Sequence, residues 1–280
     1  ERVGHEQVGD EHLDLDAAGR AKLTSETLEA GSVACDEDEV VALARESVRE
    51  GQADAGRGAG HECRGHGSDC MPRSLRRVTV VRIATWNVNS IRSRIDRVEA
   101  WLARSEVDVL AIQETKAKDE QFPYARFRAL GYEVAHHGLS QWNGVAIASR
   151  VGLDDVQVGF DGDPGWGEPP TAEARAIGAT CGGIRMWSVY VPNGRALEDP
   201  HMVYKLQWLA RLREQASAWA ADGTPVALCG DWNIAPTDDD VWSMEYYLDK
   251  SHVSPGERAA FTAFLDAGFV DVVRPHAPGP

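Results

Sequence analysis

The sequence predicts an α/β domain of packed sheets with helices outside over residues 79–280, preceded by a disordered or non-native segment over residues 1–78. Three observations carry this. Apolar, β-branched runs are interleaved with stretches of helical spacing, which mixes strands and helices in one domain. Two pairs of these runs follow one another without a helical stretch between them, which a simple alternating fold does not allow. All 21 aromatic residues of the 280-residue chain lie after position 80, and large rings dominate core burial.

The elements follow in order. Residues 80–87 are β-branched and partly alternating, a strand. Asn89 or Ser90 is placed to cap the next helix, in which Ile91, Ile95, Val98, Trp101 and Leu102 recur at helical spacing up to Ser105. Residues 108–114 form a short apolar run ending in polar residues, the pattern of a buried strand whose end opens on a site. Residues 132–136, 144–149, 174–180 and 185–191 read as further strands, and residues 161–170, with three Gly and three Pro, as a loop. Residues 200–221 are the longest helical pattern, with Val203, Leu206, Leu209, Leu212 and Trp219 near one face. A buried strand over residues 225–230 leads into Asp231-Trp232-Asn233, and a last helix is expected over about residues 256–267.

The first 78 residues contain no Phe, Trp or Tyr, and their 17 acids against 10 bases give a charge of −7 out of the chain's −15. Such a stretch buries too little apolar surface to offset its conformational entropy and is expected to be disordered, with at most a fraying helix over residues 25–49. His61, Cys63, His66 and Cys70 fall within ten residues, but their spacing matches no zinc pattern. Met71 stands shortly before the first strand, which makes residues 1–70 candidate upstream sequence. The chain has no apolar run near the ~18 residues a membrane span needs, so no membrane association is expected. Five scattered cysteines make no disulfide framework, and a reducing cytoplasm fits them.

Three predicted strands end in polar clusters: Asn87, Gln113-Glu114 and Asp231-Trp232-Asn233. Taken singly, these read as a helix cap, a solvent-facing acid and a turn. Together, at the ends of buried strands, they can converge rigidly on one rim. A lone carboxylate with oxygen-rich neighbours suits Mg²⁺, which takes few protein ligands and keeps several waters.

Residues 80–280 resemble the exonuclease III family of AP endonucleases, within the deoxyribonuclease I-like metal-dependent phosphoesterases. The carrying stretches are Ala84-Thr85-Trp86-Asn87-Val88-Asn89-Ser90, Gln113-Glu114-Thr115-Lys116, Asn143-Gly144-Val145-Ala146-Ile147, Tyr190-Val191-Pro192-Asn193-Gly194 and Gly230-Asp231-Trp232-Asn233-Ile234-Ala235-Pro236-Thr237-Asp238, with the closing run from Gly268 to Arg274. The resemblance implies a four-layered α/β sandwich and a divalent metal, Mg²⁺ or Mn²⁺. It implies a DNA repair hydrolase that cuts double-stranded DNA 5′ to abasic sites, with 3′→5′ exonuclease and 3′-phosphatase activity at 3′ ends, acting as a monomer. By the same carry-over Glu114 is the metal ligand with Asn87 beside it, Tyr190 and Asn233 bind the scissile phosphate, and Asp231 moves a proton. Asn143, Asn193 and Lys116 would contact DNA. Arg92, Arg94, Lys118, Arg126 and Arg128 are further candidate cations, and among the tryptophans only Trp142 precedes a suspected DNA loop.

After Arg274 the family continues through a Trp-rich motif, an Arg-Ile-Asp stretch and a Ser-Asp-His motif, none of which occurs before Pro280. The domain is therefore expected to be incomplete at its C-terminus, lacking the family's catalytic His and the last strands of one sheet. None of His136, His137, His201, His252 and His276 stands in the matching context, and low activity is expected of these 280 residues. The competing readings are a non-catalytic fragment, or another phosphoesterase of the superfamily of the inositol phosphatase or sphingomyelinase type.

Overall fold

The computed structural model describes residues 81–221 and 223–276, together with three short strands before them. Those three are β1 (Lys22–Leu23), β2 (Leu28–Glu29) and β3 (Val41–Arg45). The main run then comprises β4 (Ile83–Asn87), α1 (Ile91–Ser105), β5 (Val109–Gln113), α2 (Tyr124–Ala129), β6 (Glu133–His137), β7 (Val145–Ser149), β8 (Asp154–Val158), β9 (Ala176–Cys181) and β10 (Ile184–Tyr190). It closes with α3 (Pro200–Ala220), β11 (Val226–Asp231), α4 (Met244–Tyr247), α5 (Pro255–Asp266) and β12 (Val270–Asp271).

Two mixed sheets result. One has the order β4-β5-β7-β6, with β4 and β5 parallel; the other has the order β12-β3-β11-β10-β9-β8, with β10 and β11 parallel. Strand alternation sorts the side chains into layers. On β10, Met186 packs between the sheets while Trp187 and Val189 face α3; on β11, Ala227 and Cys229 point inward while Val226 and Leu228 point to the helices. On β5, Val109 and Ala111 join the layer between the sheets, and Leu110 and Ile112 pack under α1. Helices therefore cover both outer faces, giving the four layers the resemblance implied. A strand buried on both faces reads as an unbroken apolar run, which is why β5 and β11 were visible in the sequence.

The layer between the sheets is sealed near the site by a polar bridge. Gln113 Nε2 donates to Ser188 Oγ (3.0 Å), Ser188 Oγ donates to the Ile112 carbonyl (3.0 Å), and Thr85 Oγ1 donates to Gln113 Oε1 (3.2 Å). All three side chains are buried, so each polar group requires a partner and the bridge fixes the two sheets in register at that end.

Several expectations change. The helix over residues 25–49 is not found: its described residues are strands, and β3 pairs antiparallel with both β11 and β12. The rest of residues 1–78, including His61, Cys63, His66 and Cys70, lies outside the described residues. Neither Asn89 nor Ser90 caps α1 through its side chain; instead the N–H groups of Ser90 and Ile91 donate to the Glu114 (2.7 Å) and Thr115 (3.0 Å) carbonyls. Strand β8 and helix α2 were not anticipated. The first is an edge strand whose Asp154–Val158 run is largely exposed, and the second is only six residues long.

Candidate active site

Strand β4 ends at Asn87, beside the end of β5 at Gln113, and β10 ends at Tyr190 in register with Asp231 of β11. The two parallel pairs belong to different sheets, and their carboxyl ends meet at one rim. There Asn87 Nδ2 donates both to Glu114 Oε1 (3.0 Å) and to Asp231 Oδ2 (2.9 Å), joining the sheets through one amide. The Tyr190 hydroxyl donates to Glu114.

Glu114 is set by its backbone. It lies in the left-handed region (φ 50°), as do Lys116 (48°) and Asn89 (41°), a concentration of strained residues that a site tolerates when its surroundings over-determine them. Those surroundings are visible. Besides the two bonds from the start of α1, Thr115 N donates to the Gly144 carbonyl (3.1 Å), Lys116 N to the Asn143 carbonyl (2.9 Å), and Thr115 Oγ1 meets His136 Nε2 at 2.8 Å. Gly144 permits the approach, because a Cβ there would stand 2.1 Å from Thr115 Oγ1. Burial pushes the Glu114 pKa up, but hydrogen bonds from Lys116, Asn87 and Tyr190, with the Lys116 charge, hold it below the ordinary value. The group is a carboxylate at neutral pH.

The opposite wall is Asn233, also left-handed (φ 50°). Its N–H donates to Asp231 Oδ1 (2.9 Å) and its Nδ2 to the Val191 carbonyl (2.9 Å). Its Oδ1 accepts from Asn193 Nδ2 (3.3 Å) and lies 3.2 Å from His252 Nε2, while Lys205 Nζ donates to its carbonyl. Lys205 is itself paired at 2.5 Å with Glu257, both side chains having no exposure. Tyr190 is buried among these charges; desolvation first, then the Glu114 and Asp231 carboxylates, push its hydroxyl well above the tyrosine range, so it remains a neutral donor.

The expected residues Asn87, Glu114, Tyr190, Asn193, Asp231 and Asn233 thus converge. Lys116 stands at the edge with its ammonium 2.6 Å from Glu114 Oε2 and 2.5 Å from Asn89 Oδ1. Asn143 is one step removed, donating to Glu173 Oε1 at 2.9 Å. Arg126 is turned away from the rim, paired with Asp96 (2.8 Å) and Glu99 on α1. The sequence gives His252 no matching context and does not single out Glu173 or Arg175. The Arg175 guanidinium lies 5.0 Å over the Tyr190 ring, donates to the Tyr190 carbonyl (3.3 Å) and pairs with Glu173 (2.8 Å). No local pattern marks these residues; only the pairing of the 173–175 segment with β10 places them behind Tyr190.

The donor set fits a divalent cation. An ionised carboxylate already draws a cation, the Lys116 ammonium, onto its outer oxygen, and Asp231 lies one amide away. Among the described residues no three His, Cys, Asp or Glu side chains converge into a closed cage, so such an ion would retain waters or take phosphate oxygens, as Mg²⁺ does. Asn87 Oδ1 accepts from the Asn89 N–H (3.0 Å), so as oriented Asn87 presents its amino group to both carboxylates and bridges them.

The geometry has close counterparts. A family model described as Endonuclease/Exonuclease/phosphatase family matches residues 84–278. Exodeoxyribonuclease III of Haemophilus influenzae is 28% identical over 205 residues, covering 69% of this chain and 75% of that one. An AP endonuclease from Archaeoglobus fulgidus superposes with a TM-score of 0.64 at 39% identity, covering 70% of this chain and 74% of that one. A 3′ phosphatase from Neisseria, bound to product DNA hairpin, superposes with a TM-score of 0.65 at 37% identity, covering 69% and 73%. With the fold, the rim and the matched span in agreement, the chain belongs to the endonuclease/exonuclease/phosphatase family, in its exodeoxyribonuclease III branch.

Proposed function

We propose that the rim hydrolyses phosphodiesters in double-stranded DNA, cutting 5′ to abasic sites and removing nucleotides or phosphate from 3′ ends, as a DNA repair nuclease. The observation that carries this is the Asn87 amide shared by Glu114 and Asp231, which holds two carboxylates from two sheets side by side, next to the neutral donors Tyr190 and Asn233. The similar proteins named above act on DNA by their own descriptions, which supports the same substrate class here.

Glu114 would hold a divalent ion, Mg²⁺ or Mn²⁺, with Asn87 beside it. When bound, the ion neutralises charge developing on the phosphate and lowers the pKa of bound water. The remaining work falls to this chain. Tyr190, on giving up its bond to Glu114, and Asn233, through the amide hydrogen not bound to the Val191 carbonyl, would donate to the phosphate oxygens without repelling the cation, and such donors act most strongly where water is excluded. Asp231, gripped by Asn87 at one oxygen and the Asn233 N–H at the other, is positioned to move a proton at the attacking or leaving oxygen. Asn193 steadies Asn233, and Asn193, Asn143 and Lys116 meet the flanking strand. An abasic nucleotide has no base to unstack, so it turns into such a site at reduced cost. The protein acts as a monomer, and its buried, unpaired Cys181 and Cys229 suit a reducing cytoplasm.

The test is incision of an end-labelled duplex carrying one abasic analogue, with Mg²⁺ and then with EDTA, beside a duplex with a 3′-phosphate. Cleavage 5′ to the analogue that vanishes in EDTA is expected. Phosphate release from a phosphoinositide, or phosphocholine release from sphingomyelin, without DNA cleavage would assign another branch of the superfamily, and a folded protein that cleaves none of these would be a non-catalytic relative.

A further inference from the structure

Beside the rim, but outside the Glu114–Tyr190–Asn233 cluster, lies a cleft of about 600 Å³, within the usual range for small-ligand sites. One wall is the β6–β7 loop, which holds up Trp142, 66% exposed and without an aromatic neighbour among the described residues. The other wall is the loop between β8 and β9. There Trp166 pairs with Thr171 through two backbone bonds (2.9 and 3.0 Å), closing the loop into a tight turn; a Cβ on Gly165 would stand 2.7 Å from the Thr171 nitrogen. The Trp166 ring is braced by His201 (centroids 4.5 Å apart) and Tyr204 (5.4 Å), and the Arg195 guanidinium lies 5.7 Å from its centroid. The floor is Glu173 and Arg175, the pair that backs Tyr190. Burial raises the Glu173 pKa, but the Arg175 charge and bonds from Arg175, Asn143 and Tyr204 hold it low, so the floor offers an anionic acceptor beside a cation.

Trp142, Trp166 and Arg195 have no part in the hydrolytic chemistry, yet the cleft they line is built. Trp142 offers an exposed indole face, and the Arg195 guanidinium, lying over the Trp166 ring that His201 and Tyr204 brace, offers a flat face whose charge complements phosphate; Asn193 lines the cleft while bonding the Asn233 amide at 3.3 Å. Flat aromatic faces with a guanidinium recognise nucleobases whatever their sequence. We propose that this cleft is a base-holding subsite: Trp142 and the Arg195 guanidinium, backed by Trp166, receive one unstacked nucleobase of the DNA strand whose phosphate lies at the Tyr190–Asn233 rim. This rests on the reading of the rim as a DNA-processing site. The subsite takes a nucleotide that keeps its base, next to the position being cut, and so fixes strand register. A flexible acidic peptide would satisfy Arg195 but leave the Trp142 indole face unmatched.

The test reads binding in EDTA, where no cleavage occurs. A single-stranded oligonucleotide carrying one 2-aminopurine is titrated against wild type, Trp142→Ala and Arg195→Gln, beside a base-free deoxyribose-phosphate strand of equal length. The subsite predicts quenched 2-aminopurine emission with wild type and roughly tenfold weaker binding of the base-containing strand by Trp142→Ala, the usual scale of one lost stack. For the base-free strand the ratio of wild type to Trp142→Ala is expected near one, with Arg195→Gln weakening both strands. Trp142 is exposed, so its removal leaves the core intact, and circular dichroism verifies this. Equal effects of Trp142→Ala on both strands, unquenched emission, or displacement of the base-containing strand by poly-glutamate as readily as the base-free one would overturn the proposal. If wild type binds neither strand but still cleaves the abasic duplex with Mg²⁺, or binds both strands alike with Trp142→Ala unchanged, only the subsite fails; if it neither binds the strands nor cleaves the duplex, the DNA reading of the rim fails as well.

Discussion

At the scale of single residues, the site is organised by amides and a phenol rather than by many charges. Tyr190 donates to Glu114 and stays protonated because burial and the two nearby carboxylates oppose its ionisation. Tyr190→Phe therefore removes a donor and leaves the ring in place. Cleavage is expected to fall about 10²-fold, with DNA affinity little changed, and the wild-type rate should show no tyrosine limb near the usual pKa of ~10. Steady-state kinetics across pH check both. His136 carries a second prediction. Burial, opposed by the Asp119 charge, lowers its imidazole from 6.5 to about 4, so the folded protein prefers the neutral ring. The stability this represents is present above pH 6.5 and is lost as pH falls toward 4. Urea unfolding at a series of pH values should show this acid-side loss, and His136→Gln should flatten it; an unchanged slope would show that the ring does not titrate this way.

At the scale of elements, α3 and α5 meet through the Lys205–Glu257 pair, which has no exposure and also anchors Asn233. Removing one partner strands a buried charge, so Lys205→Met or Glu257→Gln is expected to cost about 3–5 kcal/mol, whereas the double substitution Lys205→Met with Glu257→Leu should recover much of it. Thermal and urea unfolding of the three variants tests the pair. The same elements show what the sequence could reveal. Strands β5 and β11 were legible because burial on both faces leaves an unbroken apolar run, and α3 because its buried face runs from Met202 to Ala220. Their polar ends, at Gln113-Glu114 and Asp231, gave most of the site. Ser188, Glu173 and Arg175 were not legible, since each is a lone polar residue whose role arises only when β10 pairs with β11 on one side and β9 on the other. His252, named in the sequence but given no role there, lacked a matching context for a related reason: it lies 19 residues beyond Asn233 and meets it only in the folded chain. The start of α1 was misread because the Glu114 and Thr115 carbonyls do the capping that Asn89 or Ser90 was expected to do.

At the scale of the whole molecule, a chain with a net charge of −15 approaches an anionic polymer against its overall field, so attraction must come from a local face. Arg92, whose side chain reaches the Lys116 carbonyl (3.5 Å), is a candidate for that face. Binding should weaken linearly in log K against log salt, and Arg92→Ala should lower the slope by about 0.9 if that side chain neutralises one phosphate. No helix among the described residues is long and apolar enough to cross a membrane. The proposed function rests most heavily on Glu114, the carboxylate proposed to hold a divalent ion at the phosphate. The most direct measurement is the single-turnover rate of abasic-duplex cleavage against Mg²⁺ concentration for wild type beside Glu114→Gln. The account predicts saturable metal dependence in wild type, and in Glu114→Gln a rate reduced by at least about 10²-fold or a dependence shifted to much higher metal. The same rate and the same metal midpoint in both proteins would contradict it.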